Sequence, residues 1–253
     1  MASIKIKILL LAACLLLSLS GQAQAQKLRI AVAANAQFVA KKLSEEFKKQ
    51  TGIDADLIVG SSGKLTTQIE QGAPFDVFLS ADMKYPQELA DKTLTLEQPR
   101  IYAYGQLVVW TLNKNAKLTR LADLTQPVFH KIAVANPTLA PYGEATMQAL
   151  GKLKLADQLK DKIVYGESIA QVNQYLLSGA TEVAFTAKSI VLDPDQQGKG
   201  KWVAVDEKLY QPIAQGVVIL KSASGKNLED AQKFYTFLFG PKAKKILKAY
   251  GYK

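Results

Sequence analysis

Apolar residues in this chain fall into short runs that alternate with stretches of helical spacing. Leu28 to Ala34 is apolar apart from Arg29, the pattern of a strand buried on both faces, and Asn35 stops it. Val39, Leu43 and Phe47 then recur every four residues, a helix that Gly52 ends. Ile53 to Val59 reads as a second strand, and Gly60-Ser61-Ser62-Gly63-Lys64 turns it into a second helix with Leu65 and Ile69 on one face. Gly72-Ala73-Pro74 breaks that helix, and Asp76 to Leu79 is a third short strand. The βαβαβ order predicts a parallel sheet with helices on its faces.

The second half repeats the first in kind. A helix over 84–96, around Tyr85, Leu89 and Leu94, precedes a strong strand at Leu107–Leu112 and a short helical segment from Leu118 to Leu124. Further strands are predicted at Ile132–Ala135, Ile163–Tyr165, Val183–Thr186, Trp202–Val205 and Val217–Leu220. Helices open at Tyr142-Gly143 and after Gly166-Glu167-Ser168, and two more close the chain, one capped near Asn227 and one after Gly240-Pro241.

Residues 1–25 are set apart from this pattern. Lys5 and Lys7 precede an apolar run, Ile8 to Leu19, and Ala23-Gln24-Ala25 follows as a cleavage pattern, so these residues read as a secretory signal peptide cut after Ala25. Leu11-Ala12-Ala13-Cys14 resembles a lipoprotein processing box, the alternative route of export. Cys14 is the only cysteine, and removal of the signal leaves a chain without thiols or disulfides, held by packing alone. The same cut takes two lysines and no acid, lowering the formal charge from +10 to +8, a field that favours anions. The lysines are scattered among acids with no basic block, which argues against nucleic acid.

The candidate chemistry lies where strands hand over to helices. The first N–H groups of a helix have no partner within it, and its dipole favours negative charge there. Ser61 and Ser62 suit the cap of the second helix. Two facing α/β domains would bring four such termini, at Asn35, Ser62, Tyr142 and Ser168, around one cleft at the carboxyl ends of the strands. The result is an anion site without a charged ligand. Glu144 and Glu167 lie near two of these corners and read as first-turn acids directed outward. Against catalysis, the single histidine, His130, has no partner for metal or base chemistry, and Gly60-Ser61-Ser62-Gly63-Lys64 lacks the spacing of a phosphate loop. Trp110, Tyr175 and Trp202 read as packing residues.

Several segments together resemble the periplasmic molybdate-binding proteins of ABC transporters. The most distinctive is Gly72-Ala73-Pro74-Phe75-Asp76-Val77-Phe78-Leu79-Ser80-Ala81-Asp82; Ala33-Ala34-Asn35, Ser61-Ser62, Asn136-Pro137 with Ala140-Pro141-Tyr142-Gly143, and the ending from Gly240 agree in order and spacing. The resemblance implies an α/β, two-lobed type II periplasmic-binding fold of mixed, mostly parallel sheets with helices on both faces and two crossover strands. Lobe one would comprise 26–106 and 217–253, and lobe two 107–216, with crossings just before Leu107 and near Gly216. The implied oxyanion ligands are Asn35 by side chain and backbone N–H, Ser62 by hydroxyl and backbone N–H, and Tyr142 and Ile169 by backbone N–H. Some relatives add a tyrosine on the strand corresponding to Val183–Thr186, where this chain has Thr186. The implied ligand is molybdate or tungstate, with no other cofactor. The implied partners of this monomeric receptor are an inner-membrane permease and its ATPase. A receptor for sulfate or another oxyanion is the alternative, and a phosphate or sulfate ester hydrolase the weaker rival.

Overall fold

The computed structural model describes residues 27–253, so the segment expected to be a signal peptide and the Cys14 box lie outside the described residues. Among the described residues ten strands form two five-stranded sheets, ordered β2-β1-β3-β10-β4 and β7-β6-β8-β5-β9. The first contains β1 (Leu28–Ala33), β2 (Ala55–Gly60), β3 (Val77–Leu79), β4 (Arg100–Gly105) and β10 (Ile213–Ile219). The second contains β5 (Leu107–Thr111), β6 (Ile132–Ala135), β7 (Ile163–Gly166), β8 (Val183–Ala187) and β9 (Lys201–Ala204).

The sheets match strand for strand. In each, three neighbouring strands are parallel, the fourth is antiparallel, and the fifth pairs antiparallel with the fourth. The antiparallel member is in each case the first strand after the chain changes sheets: β5 follows β4 across Gln106, and β10 follows the return from β9. Sequence reading places the return near Gly216, but Ile213, Ala214 and Gln215 already pair with Gly105, Tyr104 and Ala103. The crossing therefore precedes Ile213. Gly216 instead sits at a register shift after Gln215.

Helices cover both faces. In the first lobe these are α1 (Gln37–Thr51), α2 (Ser62–Glu70), α3 (Lys84–Asp91) and, at the end of the chain, the helices Gly225–Leu238 and Pro241–Ala249. The second lobe carries α4 (Pro141–Lys152), α5 (Ala156–Leu159), α6 (Ile169–Leu177) and α7 (Lys188–Val191); the closing pair are then α8 and α9. The spacing of Val39, Leu43 and Phe47 does what amphipathic spacing should: all three are buried on sheet one, and Gly52 ends α1 with φ of 75°, where a side chain would be strained. Two apolar clusters flank sheet one, while that of sheet two extends across the interface to Ala33, Ala34 and Ala81.

Three local expectations change. The helix begun at Lys84 stops at Asp91 because Thr93 takes a φ of 56°; Leu94 still packs into the core, but from a turn. Strand β4 is absent from the sequence reading because its run, Arg-Ile-Tyr-Ala-Tyr-Gly, is a half-exposed edge without a buried face to mark it. Asn227 does not cap α8, whose N-cap position is Ser224; its side-chain amide donates to both carboxylate oxygens of buried Asp76, at 3.3 and 3.1 Å.

Candidate functional site

The carboxyl ends of β1, β2, β6 and β7 meet where the lobes face each other. Each leads directly into a helical N-terminus: Ala34–Ala36 forms a 3₁₀ turn running into α1, Ser61 caps α2, Ala140 precedes α4, and Ser168 caps α6. Ser61 Oγ accepts from Lys64 N–H at 3.3 Å, and Ser168 Oγ from Gln171 N–H at 3.4 Å. These caps satisfy the inner donors of the first turn. The N–H groups of Ser62, Tyr142 and Ile169, in the opening positions of their helices, have no intrahelical acceptor.

Asn35, Ser62, Tyr142 and Ile169 line one cavity, together with Ala33, Ala34, Ser61, Ala81, Ala140 and Pro141. The cavity is small, about 10 Å³, on the scale of a single water molecule and far too little for a sugar or peptide. No lining residue carries a formal charge. All four named residues are at most 3% exposed. A larger groove of about 740 Å³ lies elsewhere, on the outer surface between α1, α8 and α9, away from the strand ends. Topology favours the small one, since ligands of open α/β sheets sit beyond the carboxyl ends of the strands.

Ser62 Oγ accepts from Ala81 N–H at 3.0 Å, which orients the hydroxyl and leaves its own hydrogen to give. Asn35 departs from expectation. Its side-chain NH₂ donates to Gln215 Oε1 at 2.8 Å and to the Tyr252 hydroxyl at 3.0 Å, so both amide hydrogens are spent within the protein. The backbone N–H is what Asn35 has to offer an anion. Its carbonyl accepts from Ser189 Oγ, across the lobe interface, at 2.7 Å. Gln215, fully buried, then donates to the Ala81 and Ile213 carbonyls. Nothing in sequence spacing could couple Asn35 to Gln215 and Tyr252, which lie about 180 and 217 positions away.

The Tyr142 hydroxyl reaches Gly105 at the crossing, so close that a Cβ there would collide with it. Burial raises the phenol well above its ordinary pKa, with the neighbouring Tyr252, Tyr102 and Tyr210 adding to the effect. Glu144 and Glu167 are both exposed: Glu144 accepts from Gln148 on its own helix, and Glu167 pairs with Lys64 of the facing lobe at 3.0 Å. Thr186 is buried in β8 opposite Val108, with its hydroxyl unpartnered, and is not among the lining residues. His130 is exposed and enters β6 at the end opposite the cavity.

Residues 28–253 match the family model described as bacterial extracellular solute-binding protein. The molybdate-binding protein ModA of Azotobacter vinelandii is 39% identical over 222 residues, covering 87% of this chain and 87% of its own length. ModA of Rhodobacter capsulatus is 36% identical over 222 residues, covering 87% and 86%. The chain is a bacterial extracellular solute-binding protein. The solved structure of the Azotobacter vinelandii periplasmic molybdate-binding protein superposes with a TM-score of 0.85 at 34% identity, over 90% of this chain and 99% of that one. As a solute-binding protein with that two-lobed fold, the chain has its cavity where the family architecture brings strand ends together, and the neutral lining is its distinguishing chemistry.

Proposed function

We propose that this chain binds molybdate or tungstate between its lobes and presents it, closed, to the permease and ATPase of an ABC importer on the periplasmic side of the inner membrane. The observation that carries the reading is the lining of the cavity: helix N-termini from both lobes converge on one small enclosed space with no charged side chain in its wall. The donors are the backbone N–H groups of Asn35, Ser62, Tyr142 and Ile169 and the Ser62 hydroxyl. A fully deprotonated tetrahedral oxyanion offers only acceptors, and a wall of donors matches it. Hydrogen bonds to a charged group contribute about 1.5–3 kcal/mol each. Five of them, less the cost of desolvation and closure, suffice for about −8 kcal/mol, a micromolar dissociation constant. Since Asn35 and Ser62 stand on one lobe and Tyr142 and Ile169 on the other, the anion stabilises the closed arrangement alone. The match to ModA relatives at 39% and 36% identity supports this choice of oxyanion.

Calorimetric titration of the chain from Gln26 with molybdate, tungstate, sulfate and phosphate tests the reading. Tight one-to-one binding of the first two, with sulfate and phosphate far weaker, is the expected result. Preference for sulfate would keep the cleft and replace its ligand, and binding of none would overturn the reading.

A further inference from the structure

Three contacts join the lobes beside the cavity without lining it. The Tyr85 hydroxyl, from α3, donates to the Thr138 carbonyl at 3.0 Å. Gly63 N–H, one residue beyond Ser62, donates to the Leu139 carbonyl at 2.9 Å. Lys64 Nζ reaches Glu167 Oε2 at 3.0 Å. Every donor belongs to the first lobe and every acceptor to the second. The acceptors sit on the two corners, Thr138-Leu139 and Glu167, that immediately precede Tyr142 and Ile169.

We infer that Tyr85, Gly63 and the Lys64–Glu167 pair form a clasp that sets how long the anion is held without touching it. The inference rests on the oxyanion reading above. A bond between lobes exists only while they are together, so each adds to the closed state and nothing to the open one. Tyr85 is built for this. Its ring packs in the first lobe's own apolar cluster, at 8% exposure, and its backbone N–H is held by Asp82, so only the hydroxyl makes the crossing. Gly63 is there for space: a Cβ would lie 2.8 Å from the Tyr85 hydroxyl and 3.1 Å from Leu139 Cα. The ion pair is half exposed on both sides, so salt screens it and its share is the smallest.

Stopped-flow dissociation of molybdate from the wild type, Tyr85→Phe, Gly63→Ala, Lys64→Met, Glu167→Gln and the Lys64→Met/Glu167→Gln double variant decides the matter. Tyr85→Phe should speed dissociation about 2- to 10-fold, the range for one neutral hydrogen bond, with the melting temperature of the ligand-free protein unchanged. Gly63→Ala should weaken affinity about 2- to 10-fold, because closing presses the added methyl against Leu139 Cα, 3.1 Å away in the facing lobe, whereas its contact with Tyr85 lies within the first lobe and is the same open or closed. Lys64→Met and Glu167→Gln should each speed dissociation by less than about 5-fold at low salt, with no further effect when combined. Unchanged dissociation in Tyr85→Phe together with unchanged affinity in Gly63→Ala would overturn the clasp while leaving the receptor intact. If the wild type prefers sulfate or phosphate, the same comparison is run with that anion. If it binds none of the four, the oxyanion reading and the clasp fall together.

Discussion

Asn35 donates its side-chain amide to Gln215 Oε1 at 2.8 Å, fastening one wall of the cavity to the strand by which the chain returns to its first sheet. Gln215 in turn holds the Ala81 carbonyl, so two lining residues on separate loops hang from one buried carboxamide. Replacing it by leucine leaves the Asn35 amide and the Ala81 carbonyl each short of a partner. Buried groups left unsatisfied cost about 1–3 kcal/mol, which for a chain of this size lowers Tm by about 2–12 °C. Gln215→Leu should show that loss in thermal melts and, though Gln215 does not line the cavity, weaker molybdate binding by calorimetry.

Ser62→Ala removes a direct donor. The dissociation constant should rise about 10- to 100-fold, the equivalent of one charge-assisted hydrogen bond at about 1.5–3 kcal/mol. The circular dichroism spectrum should not change, since the residue is a first-turn position whose cap is Ser61. An affinity equal to the wild type would remove Ser62 from the site.

Asn35→Ala is a different experiment from Ser62→Ala, because it leaves buried Gln215 Oε1 without its donor and takes one bond from the Tyr252 hydroxyl, which keeps Ser189 Oγ and the Asn35 carbonyl, while the backbone N–H stays. The expected result is a stability loss of about 1–3 kcal/mol with a smaller fall in affinity than for Ser62→Ala. A large affinity loss at unchanged stability would mean that the side chain itself meets the anion.

Burial raises the Asp82 carboxyl to about 6, against the opposing pull of its bonds from Tyr85 N–H and Ser80 Oγ. A carboxyl whose folded pKa exceeds its unfolded one binds more protons when folded. Stability contributed by this group is therefore greatest below about pH 4, falls as pH rises toward 6, and is level above that. Asp82→Asn should remove this slope, so that urea midpoints of variant and wild type diverge between pH 4 and 6, in the variant's favour.

Gly105→Ala tests the close approach at the first crossing. The added carbon would meet the Tyr142 hydroxyl and stand 3.0 Å from Gln215 Nε2, so the Tyr142 ring must move and α4 with it. Molybdate affinity should fall, and the melting temperature with it.

How much of this was legible beforehand depended on the range over which a residue acts. Strands that are buried on both faces, such as β1 and β6, announce themselves as apolar runs, and the helix starts at Ser62, Tyr142 and Ile169 follow from local caps, Pro141 and Gly143. Chain order alone brought out four strand-to-helix corners, at Asn35, Ser62, Tyr142 and Ser168. Strand β4 was silent because an exposed edge has no periodic burial, and β10 was shortened because Gln215 looks like a surface residue until Asn35 is placed beside it. The partners of the Asn35 side chain were silent for the same reason: Gln215 and Tyr252 are brought to it only by the finished fold.

The exchange of strands between the sheets also fixes an order of assembly. Every strand of the second sheet lies between Leu107 and Ala204, so that lobe is complete once this middle segment is available. The first lobe begins at Leu28 yet lacks β10, the bridge between β3 and β4, until Ile213–Ile219 arrives. For a chain that emerges N-terminus first, the lobe begun earliest is the one finished last, and its exposed β3 edge must wait through more than half the sequence for its neighbour.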